Sequence, residues 1–457
     1  MAEGPRQVNS GGHARLADGT ARNNGADGER CVPMPGASGP KRPPKLKAAV
    51  LASGCKRPML ESLSLCLRVA PTRPKKRAAM LRLFVLVLLL HVYMGWRLVP
   101  DMPFGVAGMV ATILLLALSL SVMPFAEYAR RNKRSPGADH LAGAGFVAMG
   151  FFSSVLILTL LREVVLLAGL AATGSLIDAA TFEQLRSGSA AAVPLLAVLV
   201  TAVGFVNARR TASIRIVEVP IAGLPESLRG FSIVQISDIH VGATIKQGYV
   251  SRIVDAVNAL EADIIAITGD LVDGSVGRLS PHTAPLERLC ARHGTFFVTG
   301  NHEYYSGAQA WIAEIRRLGV SVLLNEHVVL EHFGELIVVA GVTDLSAHHF
   351  DPAHRSDPVA ALAGAPEMAA VRVLLAHQPR SAFAAAQAGF HLQLSGHTHG
   401  GQFFPWNLAV KLLQPFTAGL HRLDNLWIYV SRGTGYWGPP KRFGAPSEIT
   451  HLRLVPA

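Results

Sequence analysis

Five short polar motifs follow one another in fixed order: Asp238-Ile-His240, Gly269-Asp270, Gly300-Asn301-His302-Glu303, His377 and Gly396-His397-Thr398-His399. Each comes directly behind an apolar run rich in Ile, Val, Leu or Phe. Such runs read as buried strands, so every motif falls where a strand ends and a loop begins. Open α/β sheets gather their ligands along that edge. A lone Asp at a strand end is more often a helix cap, and a lone His is ordinarily a surface or packing residue. Five in series, each behind a strand, point instead to side chains converging on one site.

From about Ser213 onward the pattern is that of an α/β domain. Strand-like runs at 232–236, 263–268, 295–299, 336–340, 372–376 and 426–430 alternate with helical or loop segments, including 248–260 and 308–318. The N-terminal half is different. Apolar stretches near residues 81–99, 104–125, 141–161 and 190–206 are each about the length a helix needs to cross a bilayer. A single one at the N-terminus would suit a signal peptide; four do not. With 50% hydrophobic residues over 457, the chain is too apolar for a purely soluble enzyme.

Charge is concentrated at the start. Residues 1–79 hold fifteen Lys and Arg against five acids, out of a formal net charge of +12. This Gly-, Pro- and Arg-rich segment has no apolar period and is expected to be a disordered basic tail. It lacks interleaved aromatic residues, so a solvated or membrane-facing role is expected rather than nucleic-acid binding. Met80 offers an alternative start that would make the tail an extension. The expected division is therefore 1–79 tail, 80–210 transmembrane region and 211–457 catalytic domain.

Basic residues cluster before the first span, at Arg130, Arg131, Lys133 and Arg134 after the second, and at Arg209 and Arg210 after the fourth. By the positive-inside rule both termini and the C-terminal domain face the cytoplasm. Arg162 and Glu163 interrupt the third run. Either they are functional charges at membrane depth or the span ends at Leu161 with the rest along the interface; the second reading is the one expected.

The motif residues form an oxygen- and imidazole-rich set with no thiolate beside it, which suits a pair of hard or borderline divalent cations. In Asp238-Ile-His240 both side chains can turn toward one ion, Asp270 is placed to bridge, and Asn301 offers a neutral carbonyl oxygen.

These motifs resemble those of the calcineurin-like metallophosphoesterase superfamily. The longer strings Gln235-Ile-Ser-Asp-Ile-His-Val-Gly242, Gly396-His-Thr-His-Gly-Gly-Gln402 and Arg442-Phe-Gly-Ala-Pro-Ser-Glu-Ile-Thr450 are similar to its membrane-associated bacterial YkuE/YaeI-like branch, which includes LpxG-type UDP-2,3-diacylglucosamine pyrophosphatases. Ser447 stands where that branch more often has proline. The resemblance covers about Leu224 to the C-terminus and implies an α/β fold: a four-layer α-β-β-α sandwich of two mixed sheets, preceded here by a bundle of four transmembrane helices.

Carried over residue by residue, the resemblance implies that Asp238, His240, Asp270 and His399 hold one ion, and Asp270, Asn301, His377 and His397 the other. The ions would be Mn, with Fe or Zn fitting the same ligands. Asp270 and His302 would be the catalytic pair, His302 facing substrate outside both ions. Two cations about 3.5–4 Å apart lower the pKa of a bridging water so that hydroxide attacks phosphorus in line. His302 would stabilise the developing charge or protonate the leaving oxygen.

Asp273 and Glu303 are weaker candidates, as supports behind the ligands or as surface groups. Tyr304 and Tyr305 would line the pocket or pack. Phe403, Phe404, Pro405 and Trp406 would meet an acyl chain or the bilayer interface, or simply fill the core. Arg432, Lys441 and Arg442 would attract phosphate or remain solvated. The expectation is a metal-dependent phosphoester or pyrophosphate hydrolase in the bacterial inner membrane, facing the cytoplasm, acting on a phosphoester substrate that includes lipid-linked ones. The alternative is a transporter or signalling protein with a regulatory domain of this kind; a scaffold without chemistry would lack ligands, and none is missing.

Overall fold

The computed structural model describes residues 73–126 and 137–457, with side chains of the first stretch from residue 81. Most of the basic tail, and the basic loop Arg130–Arg134, lie outside the described residues.

Four long helices come first: α1 (Arg73–Leu98), α2 (Gly105–Val122), α3 (Ala138–Ala172) and α4 (Ala179–Arg209). All four are long and apolar enough to cross a membrane. Their Leu and Val side chains, among them Leu114, Leu118, Leu167 and Leu199, point outward, as lipid-facing positions do when nothing but hydrocarbon surrounds them. Asp178 caps α4, accepting the Thr181 N–H at 2.8 Å, which satisfies one of the donors exposed at a helix start.

Helix α3 runs unbroken through Arg162 and Glu163 to Ala172, and both of these charges are paired. Arg162 is buried and donates to Asp101 at 2.5 Å, to the Arg97 carbonyl at 3.0 Å and to Ser189 at 3.0 Å. Asp101 also receives Arg186 at 3.0 Å, and Glu163 pairs with Arg97. A buried charge is tolerated when its hydrogen-bonding capacity is met in this way.

The C-terminal part holds two six-stranded mixed sheets. The first contains β1 (Ser213–Ile221), β2 (Ser232–Ile236), β3 (Ile264–Ile267), β4 (Thr295–Phe297), β5 (Ser321–Val322) and β12 (Glu448–Pro456); the second contains β6 (Glu326–His332), β7 (Glu335–Gly341), β8 (Val371–Leu375), β9 (Leu392–Ser395), β10 (Gly419–Leu423) and β11 (Leu426–Val430). Strands β2 to β5 run parallel, as do β7, β8, β9 and β11.

Side-chain alternation assigns the layers. Ile264 and Ala266 of β3 join Ile337 and Val339 of β7 and Val371 and Val373 of β8 in a core between the sheets. Their neighbours Ile265 and Ile267 face the other way, onto α5 (Gln247–Asn258), α6 (Val276–Thr283) and α8 (Ala308–Arg317), which follows the short α7 (Asn301–Ser306). Val338, Ala340 and Leu374 likewise face α9 (Pro358–Ala361) and α10 (Ala382–Ala388). Strands apolar on both faces demand such double cover. The expected four layers, two sheets between helices behind four apolar helices, are what the chain forms.

The sheets sit against the first half of α3 and the end of α4. Asp139 pairs with Lys246 at 2.6 Å and with Arg278. Gly150 packs against Pro439 and Lys441. The Arg442 N–H donates to the Gly204 carbonyl at 2.9 Å, and Asn207 donates to the Arg442 carbonyl at 3.3 Å. Lys441 and Arg442, expected on the surface, are buried in this junction.

Candidate metal centre

Every motif singled out in the sequence lies at the carboxyl end of a strand: Asp238 and His240 after β2, Asp270 after β3, Asn301 and His302 after β4, His377 after β8, and His397 and His399 after β9. Asp238, His240, Asp270, His397 and His399 all have positive φ, between 49° and 69°. That region is sparsely used by residues with a side chain. A run of such outliers in one place is backbone strain held for a purpose, and here it turns each side chain back across the sheet edge.

Two glycines make the approach possible. A Cβ on Gly300 would collide with the Asp270 carboxylate, and one on Gly396 with Ser237 and the Asp238 carboxylate.

Six of the seven expected ligands fall into two groups with Asp270 between them. Asp238, His240 and His399 have ligand atoms within 4.8 Å of one another, as do Asp270, His377 and His397. In the first group His240 Nε2 lies 3.1 Å from His399 Nε2, and Asp238 Oδ1 lies 3.4 Å from the same His399 atom. In the second, His377 Nε2 lies 3.2 Å from His397 Nδ1 and 3.1 Å from Asp270 Oδ2. That same Asp270 oxygen is 3.9 Å from His240 Nε2, so it reaches both groups.

The donor set fits cations. His377 Nδ1 donates to the Thr268 carbonyl at 2.8 Å, so a neutral ring turns a bare lone pair at Nε2 toward the Asp270 carboxylate. His240 is fixed in the same sense, its Nδ1 facing Asp273 Oδ1 at 3.2 Å. Asn301 Oδ1 is buried with no partner. Acceptors pointing at acceptors in a buried site are costly unless a proton or a cation lies between them.

The electrostatics agree. Burial opposes ionisation of Asp270, yet His377, His302 and His240 around it hold its carboxyl well below the usual range. Burial also opposes a proton on His377, but Asp270 and Asp238 drive its pKa well above the ordinary value. The field that favours a proton there favours a divalent cation equally. Burial, followed by the neighbouring His240 and Arg442, pushes His399 down, and burial followed by His377 lowers His397, leaving both rings neutral as ligands must be.

His302 stands at the edge. Its Nδ1 meets Asp273 Oδ1 at 2.5 Å, and its Nε2 is 3.9 Å from Asp270 Oδ2. Burial works against its charge, but the Asp273 bond and the nearby Asp270 raise its pKa to about 9. Tyr305 and Trp437 flank the ring, with centroids at 5.2 and 5.8 Å.

Sequence reasoning left Asp273 and Glu303 undecided, and both hold the site in place. Asp273 joins His240 to His302. Glu303 is fully buried and accepts the N–H groups of Asp270 at 3.0 Å, Leu271 at 2.8 Å and Gly300 at 2.6 Å. Burial and the Asp270 charge push its pKa up, while those N–H bonds favour its ionised form. Arg442, expected either to attract phosphate or to remain solvated at the surface, is a buried clamp: its guanidinium donates to the carbonyls of His399 at 3.1 Å, Arg432 at 2.8 Å and Gly435 at 3.1 Å. Arg432 pairs with Glu448 at 3.0 Å. Tyr304 packs, buried, while Phe403 is core and Phe404 and Trp406 are exposed.

The Calcineurin-like phosphoesterase family model matches residues 231–401. An uncharacterized metallophosphoesterase of Aquifex aeolicus is 33% identical over 224 residues, covering 49% of this chain and 84% of the relative. The uncharacterized metallophosphoesterase YkuE of Bacillus subtilis is 29% identical over 244 residues, covering 50% and 81%. A Danio rerio protein described as a transmembrane protein with metallophosphoesterase domain is 40% identical over 275 residues, covering 58% of this chain and 63% of its own length. The chain thus spans less than two thirds of that relative. It belongs to the calcineurin-like phosphoesterase family.

Proposed function

We propose that this protein is a membrane-anchored phosphoesterase that uses two divalent cations to hydrolyse a phosphoester or pyrophosphate bond. The observation carrying this is the position of Asp270 Oδ2, facing lone pairs from both imidazole groups within 3.1 and 3.9 Å. Asp238, His240, Asp270 and His399 would hold one ion; Asp270, Asn301, His377 and His397 the other. When bound, such a pair supplies an acidified water as nucleophile and offsets charge on the phosphoryl oxygens. Mn is the proposed metal, with Fe or Zn served by the same ligands.

The residues around the ions do the rest. Asp273 fixes His302 through Nδ1, which leaves Nε2 turned toward the pocket to donate to the leaving oxygen. Glu303 fixes the turn that carries Asp270, and Arg442 fixes the loop of His399. Residues 1–79, 80–210 and 211–457 would serve as tail, anchor and catalytic domain.

A substrate held at the bilayer, such as a lipid-linked pyrophosphate of the LpxG kind, explains why a hydrolase carries four spans. The same reading puts the protein in a bacterial inner membrane with the catalytic part in the cytoplasm. A transport role finds no support in the spans: Arg162, their most deeply buried charge, is consumed by Asp101, Arg97 and Ser189.

The test is turnover of bis(4-nitrophenyl) phosphate by the full-length protein in detergent with Mn²⁺. Hydrolysis abolished by chelation and restored by metal is expected. Activity indifferent to chelation, or no hydrolysis of any phosphoester with Mn²⁺, Fe²⁺ or Zn²⁺, overturns the reading.

A further inference from the structure

Directly after the His397–His399 loop, the helix α11 (Trp406–Leu413) presents its surface the wrong way round for a helix in water. Asn407, one of its two polar residues, faces the protein, packed against Gly401 and Gly444. Leu408, Leu412 and Leu413 face outward, 54%, 88% and 69% exposed, together with Trp406, and no residue of the helix is buried. A surface helix of a soluble domain puts such residues inward. The outward apolar face continues through Phe404.

The position of the helix explains the inversion. Trp406 Nε1 donates to Ser153 Oγ of α3 at 3.1 Å. The adjacent Phe152 stacks on His91 at 4.7 Å, and His91 lies midway along the span Leu81–Asp101. Gly145, which packs against Ala126 just past the end of α2, is about 12 Å nearer the start of α3 than Ser153, at 1.5 Å per residue. Trp406 is therefore level with the apolar body of the bundle, inside the end that Gly145 and Ala126 mark.

We propose that α11 is an in-plane membrane helix whose Leu408, Leu412 and Leu413 lie among the acyl chains of the leaflet nearest the catalytic domain. Exposed Lys411 has a long apolar stem with which to carry its charge from this helix toward the headgroups. The edge of the metal centre borders the same surface. Trp437, half exposed and 5.8 Å from the His302 ring, is followed by Gly438, against Phe146 of α3, and by Pro439, against Gly150. Gln402, at the end of the metal loop, holds this segment by bonds to the Trp437 carbonyl at 2.9 Å and the Pro439 carbonyl at 3.0 Å. Resting on the phosphoesterase reading, this arrangement selects amphiphilic phosphoesters, whose phosphate reaches His302 while the tail stays in the leaflet.

Two measurements on the full-length protein in phosphatidylethanolamine–phosphatidylglycerol vesicles test this. Photoreactive p-benzoylphenylalanine replacing Leu412 is expected to form an adduct with lipid, and at exposed Phe333, near the opposite end of the sheets, none. An adduct between two copies of the chain, or no lipid adduct at Leu412, overturns the proposal. The double variant Leu408→Glu, Leu412→Glu is expected to lose at least tenfold in kcat/KM on vesicle-borne hexadecyl 4-nitrophenyl phosphate while bis(4-nitrophenyl) phosphate turnover stays within twofold. Equal rates for wild type and variant on the long-chain ester overturn substrate delivery from the leaflet. If the variant loses both activities, the adduct decides alone. Failure of metal-loaded wild type on both esters removes the phosphoesterase reading and leaves the lipid contact to the adduct.

Discussion

Strand β3 has an Asp-His-His group at each end, and the two groups are built on opposite terms. At its start, Asp263 is met by the N–H and hydroxyl of Ser232 at 2.9 and 3.0 Å and by Arg292 at 3.5 Å, while His293 and His332 bond each other at 2.9 Å. Burial lowers the pKa of both these rings, so one donates to the other and the cluster closes on itself. At the far end, Asp270 meets a ring nitrogen whose partner on the same imidazole already donates to a protein carbonyl, and Asn301 Oδ1 meets no hydrogen-bond donor. The lesson is that proximity of Asp and His does not make a cation site. What matters is whether the second nitrogen of each ring is already engaged, so that the first is left bare.

That contrast can be broken at its strongest point by Asp270→Asn, which removes the oxygen shared by both groups: loss of bound metal and of activity to background is expected, read by elemental analysis and by bis(4-nitrophenyl) phosphate turnover. His302→Ala should lower kcat by about 10²–10⁴-fold with metal content unchanged, since this ring lies outside both groups. Asp273→Asn should cost about 10–100-fold in metal affinity or activity, because it orients His240 and His302 without being one of the seven ligands. At the other end of β3, His332→Ala should leave turnover and metal content as they are and lower stability by about 1–3 kcal/mol, measured by thermal unfolding; a loss of bound metal there would erase the distinction.

The smallest effect concerns Lys441, at the seam between domain and bundle, whose pKa burial holds down at about 8 against an ordinary 10.5. A folded value below the unfolded one means that charging opposes the fold. The cost is complete below about pH 8 and vanishes as pH rises through 10.5. Wild type should therefore gain melting temperature over that interval relative to Lys441→Met, and parallel curves would remove the effect.

Much of this was legible in the chain. Ile233, Ile264–Ile267 and Val371–Leu375 read as strands because both faces are apolar, and the site could be found because its ligands sit in short loops directly behind them. Strands β1, β5, β6, β10 and β12 were not foreseen: β5 is two residues long, β10 carries His421 and Arg422, and β1, β6 and β12 break their apolar pattern with charges such as Arg215, Glu331 and Arg453. Asp273 and Arg442 were legible only as charges. Their work is to bond groups far away in sequence, His302 for one and His399 for the other, and no local pattern announces such a bond.

Arg442 has one more consequence. Its main chain is fastened to Gly204 and Asn207 of α4, and its guanidinium grips the carbonyl of His399. Severing the polypeptide near residue 210 would strip the catalytic half of a wall it leans on, exposing Lys441 and slackening the very turn that aims an imidazole. The helices are thus structural partners of the chemistry as well as its mooring.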